Sequence, residues 1–178
     1  MSALAGAMTG DGIRAEPMAE AHRVALKAAC AEDPAIWTIF ALGFGPDEFD
    51  ASFDKIMALP WVKFVLFDEA DAMIGMSCFL NIVEERQTLE IGNTYYRPRF
   101  RGGINRRIKA MMMARAFECG FIRIEYRVDL RNERSQAAMT KLGAVREGVV
   151  RQDRITWTGH RRDTVLFSIL RDEWPACR

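Results

Sequence analysis

Apolar and polar residues follow two rhythms along this chain, and the change between them falls at Pro60. Before it, apart from a short strand at Ile13 to Pro17, the spacing is helical. Pro17 to Ala31 is alanine-rich, with Val24, Leu26 and Ala28 among its apolar positions. Asp33-Pro34 restarts a short helix through Phe40, because aspartate caps and proline suits the first turn. Pro46 to Leu59 places Phe49, Phe53, Ile56 and Met57 near helical spacing. After Pro60 come three strands, Val62 to Phe67, Ala72 to Ile82 and Leu89 to Tyr96, turning at Asp68 to Asp71 and at Glu84-Glu85-Arg86. A helix from Ile104 to Cys119 repeats Ile104, Ile108, Met112 and Ala116 every four residues and stops at Gly120. Phe121 to Asp129 is a strand, and Asn132 caps a helix that Gly143 closes after Leu142. Val145 to Arg154 and Thr164 to Leu170 form a last pair of strands around Thr158-Gly159-His160. The helix between Tyr96 and Phe121 predicts a parallel crossover within a hairpin-rich sheet.

No repeat, linker or low-complexity tract divides the 178 residues, which predicts one domain with a sizeable core. The formal net charge of +1 argues against a nucleic-acid partner. Cys30, Cys78, Cys119 and Cys177 are too scattered for a zinc site or a disulfide framework, so no metal is expected. No stretch reaches the roughly 20 apolar residues that span a bilayer, and the first residues lack a secretory pattern, so a cytoplasmic protein is expected.

The most pointed chemistry lies where the strand ending at Tyr96 meets the next helix. A glycine turn opening a helix presents free N–H groups and a positive dipole end, which suits phosphate. Arg99, Arg101, Arg106 and Arg107 add charge to the turn. The same arginines also read as a solvated face, or as a weak RNA signal through Arg101-Gly102-Gly103.

Two segments carry a family resemblance. One is Glu90-Ile91-Gly92 followed by Arg99-Phe100-Arg101-Gly102-Gly103-Ile104-Asn105; the other runs from Asn132-Glu133-Arg134-Ser135 to Lys141-Leu142-Gly143-Ala144. In this order and spacing they resemble the GNAT acyltransferase superfamily, in particular its RimJ/RimL-type branch, which acetylates ribosomal proteins. The resemblance implies a mixed α/β fold with one mostly antiparallel twisted sheet, a splayed parallel strand pair and helices on both faces. It further implies acetyl-CoA as cosubstrate, other acyl groups such as succinyl remaining open, and an amine acceptor that is either a protein N-terminus or a small molecule. A homodimer is compatible with it. Arg101, Gly102, Gly103, Ile104 and Asn105 would cradle the pyrophosphate, with Arg99 heading the motif and Arg106 or Arg107 reaching an outer phosphate. Asn93, Thr94 and Tyr95 would lie along the thioester, and Asn132 and Ser135 near the CoA thiol. The chain departs from the usual pattern at Ile104, where a small residue is common, at Arg107, where glutamate is common, and at Asn93, where tryptophan is common.

Acetyl transfer requires an uncharged amine. At pH 7, deprotonating a lysine-like amine costs roughly 4.6 kcal/mol, and an α-amine roughly 1 kcal/mol. A general base is therefore sought. Alternation turns Glu90 away from Leu89 and Ile91, and in the family a glutamate on this strand takes the amine proton; a structural carboxylate is the other reading. Glu147 is a weaker candidate. Ser135 either donates to the departing thiolate or, with Asn132, only caps its helix. His22 and His160 read as surface residues, and Met111-Met112-Met113 as core filling. No Ser or Cys sits in a His/Asp constellation, so direct transfer is expected. The alternative is a catalytically idle module that binds acyl-CoA. The acceptor pocket would fall to the early helices from Pro34 to Leu59 and the last hairpin.

Overall fold

The computed structural model describes residues 3–177. One eight-stranded sheet runs in the order β1-β2-β3-β4-β5-β6-β8-β7. Its strands are β1 (Met8–Gly10), β2 (Ile13–Pro17), β3 (Val62–Asp68), β4 (Met73–Val83), β5 (Thr88–Tyr96), β6 (Arg123–Asp129), β7 (Val145–Ile155) and β8 (Arg161–Leu170). The α-helices are α1 (Arg23–Cys30), α2 (Phe49–Ala58), α3 (Ile104–Glu118) and α4 (Glu133–Leu142). Every pairing is antiparallel except β5 with β6, joined by the α3 crossover.

Each face of the sheet has its own core. On one, Ile108, Met112, Met113 and Ala116 of α3 and Met139 and Leu142 of α4 bury against Leu89, Ile91, Ile124 and Phe167. On the other, Trp37, Phe44, Phe49 and Phe53 pack with Leu26 and Ile56 against Val65, Met76 and Tyr95. The aromatics of the first third therefore fill a core, with Trp37 against Phe40, Phe44 and Tyr95.

Two irregularities in β5 shape the middle of the sheet. The parallel pairing reaches only from Thr88–Arg123 to Glu90–Glu125, after which β5 and β6 part. Then Cys78 pairs with Gly92 but Met76 pairs with Tyr95, so Asn93 and Thr94 together oppose Ser77. This is a β-bulge, with Asn93 left-handed at φ 47°. The extra residue inverts the alternation. Leu89 and Ile91 face the α3 core, whereas Tyr95 faces the Trp37 core.

The elements differ from expectation at a few ends. The helix expected from Pro17 begins only at Arg23, because Pro17 is still paired in β2 with Phe64, and a 3-10 turn at Glu20–His22 intervenes. Pro34–Ile39 is a 3-10 helix. Strand β1 was unanticipated, although Asp11-Gly12, both left-handed, is the two-residue turn that such a hairpin demands. Cys30 and Cys78 are buried free thiols, and the Cys177 side chain lies outside the described residues.

Gly75 lies where β4 passes closest to β5. A Cβ there would overlap the Tyr95 carbonyl oxygen, which is backbone and cannot swing aside. Gly75→Ala is expected to destabilise the fold by roughly 2–4 kcal/mol, read from denaturant midpoints, since it must push β5 off β4 beside the bulge.

Candidate active site

A cavity of about 380 Å³ opens where β5 and β6 diverge, a volume suited to a small-molecule site. It extends to both faces of the sheet. Glu90, Asn93, Thr94 and Tyr95 of β5 line it, as do Arg101, Gly102, Gly103, Ile104 and Asn105 of the adjoining turn and helix, and Asn132 and Ser135 at the start of α4. Its lining does not include Arg99, Arg106 or Arg107.

The α3 end of the cavity has the makings of an anion cradle. Gly102 and Gly103 have φ of 99° and 120°, in the range that side chains disfavour, and a Cβ on either would meet nothing within 4 Å. Gly103 caps α3 without any side-chain hydrogen bond, and although the Arg106 amide donates to the Gly103 carbonyl (3.2 Å), the helix N-terminus suits an anionic guest. The arginines of the turn are used mainly elsewhere. Arg101 pairs through Nη1 with Asp33 (2.7 Å) and donates from Nε to the Tyr96 carbonyl (3.1 Å). Arg107 turns to the far side of α3, where its Nε donates to Asp11 Oδ2 (2.8 Å). The Arg99 guanidinium lies over the Phe100 ring. Arg101 and Arg107 thus hold structural pairings, and Arg101 lines the cavity as well, with its Nη2 buried and unpartnered. Arg134, in the first turn of α4, lines the cavity and is a cation that motif reading did not single out.

At α4, the Asn132 side chain accepts from the Ser135 backbone N–H (3.0 Å), the ordinary capping bond. Both residues nonetheless face the cavity, so capping and ligand contact are compatible here. Asn105 accepts from the Tyr96 hydroxyl (3.2 Å), and the Asn93 amide lies 3.9 Å from Cys78 Sγ.

On the opposite face, Glu90 is only 4% exposed. Its Oε2 accepts from Asn81 Nδ2 (2.7 Å), and Arg127 Nε lies 3.6 Å away. Burial raises its pKa, while Arg154, Asn81, Arg127 and Arg162 pull in the other direction. Glu147 is different. Arg123 grips both its oxygens at 2.6 Å, Ser168 donates to it, and these bonds hold its pKa down to about 2. It does not line the cavity and is a strand-to-strand ion pair, which removes it as a base. Neither His22 nor His160 lines the cavity. The early segment and the last hairpin also line the cavity, through Ile36, Ile39, Phe40 and Leu42 on one hand and Arg154 and Arg162 on the other. Trp157 ties these together, donating from Nε1 to the Trp37 carbonyl (2.8 Å) and from its backbone to Ala41 (3.2 Å).

The residue that sequence reading missed is Lys109. It is 3% exposed and lines the cavity from α3. Its ammonium donates to Thr94 Oγ1 (2.9 Å), which also bonds Ser77 Oγ (2.7 Å), and it lies 5.3 Å from the Tyr126 ring centroid. The charge thus sits in the wedge between β5 and β6. A signal existed, since Lys109, Met112, Met113 and Ala116 follow the apolar spacing of a buried helix face, and a lysine there must be accounted for.

Burial lowers the Lys109 pKa to about 7, with Glu90 and Cys78 opposing it. The unfolded chain then holds the extra proton between pH of about 7 and the ordinary lysine value of 10.5, so stability rises with pH across that window. Lys109→Met is expected to be at least as stable as the parent at neutral pH and to flatten this rise, measured as melting temperature against pH. A variant that loses stability at neutral pH but keeps the slope would show a structural counter-ion instead.

Among the described residues no helix is long and apolar enough to cross a membrane, and no three metal-ligating side chains cluster. Comparison with known proteins agrees with this architecture. Residues 13–145 match the family described as the acetyltransferase (GNAT) domain. A candidate acetyltransferase from T. thermophilus superposes with a TM-score of 0.86 at 31% identity, over 96% of this chain and 92% of that one. Mycobacterium smegmatis RimJ, in complex with CoA-disulfide, does so at 0.77 and 19% identity, covering 96% and 88%. Spermidine N-acetyltransferase from Vibrio cholerae, with CoA and spermine, gives 0.75 and 16%, covering 92% and 98%. A search of curated proteins found no match. With the family's domain spanning most of the chain and its splayed strand pair lined by a glycine turn, this protein belongs to the GNAT acetyltransferase family.

Proposed function

We propose that the protein moves an acetyl group from acetyl-CoA to a primary amine, of a small molecule or a protein N-terminus, by direct attack in a ternary complex. The observation that carries this reading is one cavity that joins an uncapped helix end to a buried carboxylate through a gap between parallel strands. The residues present fit the cosubstrate. The amides of α3 beyond Gly102 and Gly103 would hold its pyrophosphate, with Arg134 as the nearby cation. RimJ and the spermidine enzyme, which share the fold, form complexes with CoA-disulfide and with CoA and spermine.

In the transfer, the amine lone pair attacks the thioester carbonyl carbon, a C–N bond forms and the C–S bond breaks. Glu90 takes the proton that the amine loses, directly or through a water. Its burial raises its affinity for that proton, which suits a base working near neutral pH. Ser135 and Lys109, which line the cavity from the helix side, would donate to the departing thiolate. Lysine with a pKa near 7 can protonate a thiolate whose ordinary pKa is about 8.5 without an uphill step.

The test is CoA release from acetyl-CoA across a panel of amines and N-terminal peptides. Glu90→Gln is expected to lower kcat/KM by about 10²–10⁴ while acetyl-CoA still stabilises the fold, and Ser135→Ala to lower it less. An unchanged rate in Glu90→Gln would remove Glu90 as the base. Stabilisation by acetyl-CoA with no release for any amine would favour the idle acyl-CoA-binding module.

A further inference from the structure

The acceptor side of the cavity has a charge arrangement that the transfer step leaves unused. Strands β7 and β8 set Arg154 directly opposite Arg162, and both residues line the cavity. Like charges opposite each other on a hairpin repel. The effect is visible at Arg162, which is 6% exposed and whose pKa is lowered first by burial and then by Arg154. Arg127 stands alongside on β6, next to Glu90.

The nearby carboxylates are already engaged. Asp129 accepts from the Arg131 backbone, Nε and Nη2 at 2.9, 3.0 and 2.7 Å. Asp153 accepts from Arg154 Nε (2.8 Å) and Thr164 Oγ1 (2.9 Å). Arg162 donates from Nε to Thr164 Oγ1 (3.0 Å) and from Nη2 to the Arg127 carbonyl (2.9 Å). Nη1 of Arg162 and both Nη atoms of Arg154 keep no hydrogen-bond acceptor among the described residues. Ile36, Ile39 and Leu42 line the same cavity, which therefore offers a guest hydrocarbon as well as guanidinium groups.

We infer that Arg154 and Arg162 form a carboxylate-binding subsite beside Glu90. A planar carboxylate matches the donor geometry of guanidinium groups and relieves the repulsion between them. Glu90, Arg154 and Arg162 line one cavity, so a carboxylate held by the arginines shares that cavity with the reacting amine. Two sources share this chemistry: an acceptor that is an amino acid or ends in an acid, and a dicarboxylic acyl group such as succinyl. A polyamine, all cation, is the wrong guest. The subsite extends the acetyl-transfer reading, but its binding arm needs only CoA binding and no transfer.

Arg162 also supports Thr164 and Arg127, so Arg154 is the position to change. Binding to CoA-saturated protein is measured by calorimetry for glycine, β-alanine, γ-aminobutyrate and glutamate, each against its amide, with spermidine alongside. Turnover is measured with the same acceptors and with acetyl-CoA against succinyl-CoA. The parent protein is expected to prefer acid to amide for at least one chain length. Arg154→Gln is expected to reduce that preference at least about tenfold, and Arg154→Lys to restore part of it. Preference among acceptors places the carboxylate on the amine, and preference for succinyl-CoA places it on the acyl group. Equal treatment of acids and amides together with equal use of the two thioesters overturns the subsite, as does a preference that survives Arg154→Gln. Acid preference in binding with no CoA release supports the subsite and removes the acetyl-transfer reading instead.

Discussion

Two residues of β5, Asn93 and Thr94, stand opposite the single Ser77 of β4, and that mismatch governs where β5 goes next. The pleat of a strand has a period of two, so one extra residue sends every later side chain to the other face. Tyr95 consequently enters the Trp37 core and donates its hydroxyl to the Ala29 carbonyl (2.8 Å), locking the far end of β5 to α1. With β5 held there and β6 tied along its length to β8, the parallel ladder ends after Glu90. The cavity is the space this opens.

The bulge also arranges the charges. Glu90 precedes it and faces the arginine-lined side; Thr94 lies within it and meets Lys109 on the helix side. A carboxylate and an ammonium thus approach one gap from opposite faces of the sheet, each strongly desolvated, with Glu90 helping the ammonium to stay charged. Buried ionisable groups of this kind cost stability, and a fold retains them most readily where a ligand uses them.

Much of the site was legible because its chemistry depends on local sequence. The turn Gly102-Gly103 ahead of a helix presents backbone amides whatever lies around it, and Asn132 caps α4 through a bond three residues long. The roles of the arginines were not legible. Arg101 and Arg107 occupy the same turn region, yet their partners, Asp33 and Asp11, lie 68 and 96 residues away in sequence. Lys109 was hidden for a related reason. Its helical position marked it as buried, but only the divergence of β5 from β6 makes that burial face a cavity rather than a packed core.

The sequence by itself determined the alternation of helices and strands, the parallel crossover, the glycine turn with its anion-binding character and the face of β5 that Glu90 takes, its candidacy as base being what the family resemblance implies. These rest on periodicity, capping and backbone freedom, which act over a few residues. Tertiary structure alone decided that Glu147 is an ion-pair partner, that Arg101 and Arg107 pair with Asp33 and Asp11, and that Arg154, Arg162 and Lys109 converge on one cavity. Charge acts through space, with a strength set by burial and by partners distant in sequence, so it could be assigned only once the chain had folded around it.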